Sequence, residues 1–187
     1  MGTGLKIFIA EDDALILEDF TITLEEMGHI VVGTASNGES ALNGIQNLRP
    51  DLILIDINMP KKDGITVMEE INQTESIPAI IITGYCSQEL LDRASNLSVY
   101  GYLLKPIDAK QMQAAVEIAI KRAKDVSVAK EALENRKYIE RAKGILMDQF
   151  GLSESDAMKR LQKKSRDANK KLAVIAKEII EAAQLLM

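Results

Sequence analysis

Glu11, Asp12 and Asp13 follow one short apolar run, Asp56 closes a second, Thr83 a third, and Lys105 a fourth. Brought to one place, these side chains could handle a phosphoryl group. Clustered carboxylates repel one another and persist where a hard cation neutralises them, and Mg²⁺ characteristically takes one or two carboxylates with water and a phosphoryl oxygen. A carboxylate can then act as nucleophile and form an acyl phosphate. Lys105 and the metal would offset charge on the transferred group, and the Thr83 hydroxyl could hydrogen-bond one of its oxygens. Each residue taken alone would be an ordinary solvated turn residue; the set is what points to chemistry.

Such a set needs a scaffold that ends several strands at one edge. Residues 5–10, 30–35, 51–57, 79–83 and 99–104 read as β-strands, the third and fourth apolar almost throughout, as strands buried on both faces should be. Amphipathic stretches near residues 14–27, 37–47, 63–73 and 87–96 alternate with them as helices. Five βα units in this length predict an α/β fold, a flavodoxin-like doubly wound five-stranded parallel sheet with its site at the carboxyl ends of the strands.

From Ala109 no strand signal or proline recurs, and residues 109–147 read as one long helical segment. Met112, Val116, Ala119, Ala123, Val126, Lys130 and Leu133 alternate by four and three, a heptad seam that favours a homodimeric coiled coil over a helix packed on its own domain. Gly151 is a plausible stop. Ser153, with Glu154 and Asp156, can cap and charge a second helix, and a third falls near residues 168–186, which makes a small all-α three-helix unit.

Composition fits a globular protein, with 47% hydrophobic and 27% charged residues. No apolar run is long enough to span a bilayer, and Met1 to Lys6 carries no signal-peptide pattern, so a cytoplasmic protein without membrane partners is expected. The single cysteine, Cys86, cannot form an internal disulfide and reads as a free thiol opening a loop; the single histidine, His29, reads as a polar residue ahead of a strand. The net charge of −5 is unevenly spread: residues 1–126 carry 10 Lys+Arg against 19 Asp+Glu, and residues 127–187 carry 13 against 9. An acidic front and a basic back suit different partners.

Residues 5 to about 122 resemble the receiver domain of two-component response regulators, in the motifs Ile9-Ala-Glu-Asp-Asp, Leu54-Ile-Asp-Ile-Asn-Met-Pro-Lys-Lys-Asp-Gly, Ile82-Thr-Gly and Tyr102-Leu-Leu-Lys-Pro. The resemblance implies phosphorylation of Asp56 by a sensor histidine kinase. It also implies Mg²⁺ held by Asp12, Asp56 and the backbone carbonyl of Asn58, with Glu11 in the outer shell. Thr83 and Tyr102 correspond to the switch pair, Lys105 to the phosphoryl-binding lysine, and Pro106 to a cis proline; Asp13 is left as a helix cap. Hydrolases of the haloacid dehalogenase type also use an aspartate nucleophile, with a second Asp two residues later. Asn58 stands there in this chain and could not transfer a proton, so the expectation is a regulator and not an enzyme.

Residues 129–187 resemble the ANTAR family of RNA-binding antitermination modules, in Leu133, Arg136, Ile139, Ala142-Lys143-Gly144, Leu146-Met147, Gly151, Ser153, Ala157 and Leu161. The resemblance implies an RNA hairpin in a leader transcript as ligand, and the seam on the long helix adds the expectation of a homodimer when phosphorylated. Lys159, Arg160, Lys163, Lys164, Arg166, Lys170 and Lys171 crowd the second helix and the turn after it, a cluster that suits phosphate contacts and equally a solvated lysine-rich face. The expected organisation is thus a receiver over 1–122, a helical linker over 109–133 overlapping its last helix, and an RNA-binding unit over 129–187. A DNA-binding or protein-only output is the alternative. No recognition helix with base-reading side chains stands out over 153–186.

Overall fold

The structure, a computed structural model, describes residues 4–85 and 88–184. Cys86, the first residues of the N-terminal stretch and the ends expected at residues 87 and 185–186 lie outside them. The elements are β1 (Lys6–Ala10), α1 (Ala14–Glu26), β2 (Ile30–Ala35), α2 (Gly38–Leu48), β3 (Leu52–Asp56), α3 (Gly64–Thr74), β4 (Ala79–Thr83), α4 (Gln88–Ala94), β5 (Val99–Leu104), α5 (Ala109–Phe150), α6 (Glu154–Ala168) and α7 (Leu172–Gln184). The five strands are parallel in the order β2-β1-β3-β4-β5, the doubly wound sheet expected from the apolar runs.

Strand periodicity explains the two-sided core. Phe8, Ala10, Ile53, Ile55, Ala79 and Ile81 face one side, against Ile45, Ile65, Met68 and Ile71 of α2 and α3. Ile7, Ile9, Leu52, Leu54, Ile80 and Ile82 face the other, against Phe20 and Leu24 of α1 and Met112, Val116 and Ala119 of α5. Side-chain oxygens start the helices: Asp13, Asn37, Asp63 and Ser153 each cap the helix that follows by accepting amide hydrogens of its first turn. Near β1, the Leu5 amide donates to Nδ1 of His29.

The chain divides into two compact units, Met1–Lys124 and Asp125–Met187. The second has its own core of Ala142, Leu146, Ala157, Leu161, Ile175, Ala176 and Ile180. Helix α5 is 42 residues long and stops where Gly151 takes a positive φ of 63°, the left-handed conformation that ends a helix at little cost for glycine.

The seam along α5 differs from expectation. Met112, Val116 and Ala119 are buried against the receiver's own sheet, so those positions belong to a helix packed on its own unit. A spacing of three and four marks an apolar face but not what covers it, and here the sheet does. Beyond them the pattern is bare: every residue from Lys124 to Leu133 is exposed, including Val126, Lys130 and Leu133. Only this later part of the seam offers surface to a second copy.

Candidate functional site: an acidic pocket and a basic helical face

Four strand ends build the pocket. Glu11 follows β1, its amide donating to the Ala35 carbonyl at 2.9 Å, while Asp13 caps α1 through the amides of Leu15 and Ile16. That turn leaves Glu11 fully buried and Asp12 exposed beside it. Asp56 ends β3 with only 3% of its surface exposed, and its Oδ1 accepts the Asn58 amide at 3.2 Å. Gly64 opens α3 directly over this strand end: a Cβ there would lie 2.1 Å from the Asp56 carbonyl oxygen, so no larger residue fits without displacing the backbone.

Lys105 leaves β5 with its amide bonded to the Thr83 carbonyl, and the Lys105-Pro106 peptide is cis. Its ammonium lies 2.6 Å from Oδ2 of Asp56 and 2.9 Å from Oε1 of Glu11, both as hydrogen bonds. Burial would lower the lysine's pKa, but the bonds to Asp56 and Glu11 outweigh it and hold the ammonium above its usual value. For Glu11 burial wins, aided by the charge of Asp56, and its carboxyl is raised despite the hydrogen bonds from Lys105 and the Asp13 amide.

Carboxylate oxygens of Glu11, Asp12 and Asp56 lie within 4.8 Å of one another. Against one ammonium they leave an excess of two negative charges. Oε2 of Glu11 is buried and has no aligned hydrogen-bond donor, although the Lys105 ammonium is 2.7 Å away as a charge partner. A hard divalent cation fits this set on both counts, through oxygen-only donors and through the charge that is left over.

The expected switch pair is placed differently from the pocket core. Thr83 is fully buried at the end of β4, and its hydroxyl is occupied in the loop that follows, donating to the Tyr85 carbonyl at 2.7 Å and accepting the Tyr85 amide at 3.2 Å. Tyr102 lies on β5 with 38% of its surface exposed.

In the second unit all seven basic residues of the expected segment are exposed. They are not equivalent. Arg160, Lys163 and Lys164 share one face of α6 and line a shallow depression with Asp167 and Ala168. Lys159 pairs with Asp156, and Lys170 with Glu178 of α7. The Arg160 guanidinium stacks over the Phe150 ring, 4.3 Å from its centroid, a pairing that no sequence periodicity marks. Lys143 is buried between Glu140 and Glu154, at 2.8 and 2.7 Å, and so fastens the start of α6 to α5. Those partners hold the ammonium above its usual value.

Comparison with known proteins agrees with this division. Residues 7–117 match the response regulator receiver domain, and residues 128–180 match the ANTAR domain. The chain is 33% identical over 183 residues to the transcriptional regulatory protein PdtaR of Mycobacterium tuberculosis, an alignment spanning 94% of this chain and 89% of that one. It is 34% identical over 124 residues to the probable transcriptional regulator ycf27 of Guillardia theta, covering 65% of this chain and 48% of that protein. Among solved structures, the signal receiver domain of a modulated diguanylate cyclase from Desulfovibrio desulfuricans G20 superposes with a TM-score of 0.60 at 33% identity, covering 65% of this chain and 97% of that domain. The REC domain of the response regulator AraT from Geobacillus stearothermophilus gives 0.58 at 31% identity, covering 66% and 98%.

Proposed function

This chain belongs to the response regulator family, with a receiver domain followed by an ANTAR domain, and from that premise we propose that phosphorylation of Asp56 controls an RNA-binding transcription antiterminator. The observation that carries the receiver half is the convergence of Glu11, Asp12, Asp56 and Lys105 on one acidic pocket suited to a divalent cation. The Asp56 carboxylate attacks the phosphorus of a phosphohistidine on a sensor kinase, the P–N bond breaks, and the imidazole leaves with a proton from solvent. Lys105, bonded here to Asp56 and Glu11, would offset charge on the transferred phosphoryl group. Asp12, Asp56 and the Asn58 carbonyl would hold Mg²⁺, with Glu11 behind them, and the ion supplies charge neutralisation for the incoming anion.

Signal relay needs the Thr83 hydroxyl to leave Tyr85 for the new phosphoryl oxygens. That exchange frees the loop after β4 and lets Tyr102 move inward, biasing one of two conformations. In the output, Lys163, Lys164 and Arg166, with Lys159, Arg160, Lys170 and Lys171 around them, offer phosphate contacts to an RNA hairpin. Phosphorylated receivers associate, with the exposed segment through Val126 and Leu133 adding a short and weak apolar seam.

Two readouts test this together. Nucleic acid captured by the phosphorylated protein from a total extract is sequenced, and the same preparation is sedimented with and without phosphorylation. Enrichment of stem-loop RNA together with a shift from monomer to dimer is expected. Enrichment of duplex DNA, or of no nucleic acid, moves the output to the DNA-binding or protein-only reading.

A further inference from the structure

Beside the Arg160 and Phe150 pair lies a cleft of about 240 Å³, lined by Gln149, Phe150, Arg160, Lys164, Glu178 and Ile179 together with further apolar side chains of α5 and α7. We propose that this cleft receives one unpaired base of the bound RNA, stacked on the Phe150 and Arg160 pair; the proposal rests on the RNA-binding reading of the output unit and deepens it.

Three observations converge. First, the volume is below the range of pockets that enclose drug-sized ligands, and suits a single flat heterocycle. Second, an aromatic ring and a guanidinium plane are the two side-chain surfaces on which splayed bases stack, and here they already lie against each other. Phe150 keeps 52% of its surface exposed, although it sits beside an apolar core that could have covered it. Third, Arg160 and Lys164 also line the adjoining shallow depression with Lys163, so cations that could follow a phosphate backbone run into the mouth of the cleft. Gln149 and Glu178 supply polar groups at its wall, where a base edge could be read, and Glu178 is held by Lys170. The rim charge favours a polyanion over an apolar protein segment as occupant.

The probe is a pool of stem-loop RNAs with a randomised loop, selected on the full-length protein after phosphorylation by a small phosphodonor. The winning stem-loop is then remade with an abasic site at each loop position in turn. Phe150→Leu keeps an apolar side chain but removes the ring, and is expected to weaken binding about ten- to a hundred-fold, the size of one stacked base, with an unchanged salt slope and an unchanged melting curve. One abasic RNA should bind the parent with the same deficit, and combining it with Phe150→Leu should add little further loss. Phe150→Tyr should restore affinity, whereas Arg160→Lys, which keeps the charge but not the plane, should not. Full affinity of Phe150→Leu for the selected stem-loop, or equal additional losses against every abasic RNA, overturns the base cleft while leaving the basic face standing. A selection that enriches no RNA overturns both.

Discussion

The two units place their charges in opposite ways. In the receiver, Glu11 and Asp56 are buried and Lys105 is mostly so, and each is positioned by a different strand end. In the output, the seven candidate cations are exposed along α6 and the turn behind it. Buried groups in fixed geometry act as one device, because removing one leaves its partners uncompensated. Exposed cations act through their sum, since each neutralises a phosphate largely on its own. The first arrangement suits a switch, and the second suits graded affinity.

The largest expected effect tests the indivisible side. Asp56→Asn removes the proposed nucleophile, and incorporation of phosphate from a small phosphodonor should fall below detection, as it should for the parent in the presence of a magnesium chelator. Intact-mass measurement reads both; labelling of the variant at the parental level would place the acceptor elsewhere.

A smaller effect is expected where charges add. Lys163→Ala with Lys164→Ala should lower affinity for the selected RNA about ten-fold at moderate salt. The slope of log affinity against log salt should fall by roughly 1.5 to 2, one phosphate contact per lysine. Gel-shift titration at several salt concentrations measures it. Complete loss of binding would mean that the output also works as one device, and the contrast between the units would collapse.

The smallest effect tests whether exposure, and not membership of a unit, makes the difference. Asp63 of the receiver is partly exposed, caps α3 through the Thr66 amide and hydroxyl, and lies 3.7 Å from Arg93. Burial would raise its carboxyl, but the Thr66 hydrogen bonds and the Arg93 charge outweigh burial and hold it below the ordinary value. A lowered folded-state pKa contributes stability above the unfolded value of about 3.9, and that contribution is lost as pH falls through the folded value. Asp63→Asn keeps the oxygen that caps the Thr66 amide, removes the charge, and turns the acceptor of the Thr66 hydroxyl into an NH2 group that can only donate to it. It should cost a few tenths of a kcal/mol at neutral pH, and the part of that cost due to charge should shrink as pH falls below the unfolded value. Urea denaturation at pH 7 and pH 3 checks it, and a cost above about 2 kcal/mol would give this exposed receiver charge the weight of a buried one.

Much of the receiver was legible because its information is local. Apolar runs such as Leu52–Asp56 and Ala79–Thr83 declare buried parallel strands, and the chemical residues sit at their ends. The occupation of the Thr83 hydroxyl by Tyr85 was not legible, since it depends on the path of a loop. Along α5 the spacing of Met112, Val116 and Ala119 gave the right face but the wrong cover. The pairing of Arg160 with Phe150, and the Lys143 to Glu154 bond, cross the break at Gly151 and follow no helical period.

The sheet order sets a timetable for synthesis. Lys105 meets Glu11 and Asp56 across sequence separations of 94 and 49 residues, so both carboxylates leave the ribosome long before the cation that lies between them. At about 5–20 residues per second, Asp56 waits roughly 2–10 s for Lys105. Over that interval Glu11 and Asp56 have no ammonium to share, and the strand that brings it is the last of the five to emerge.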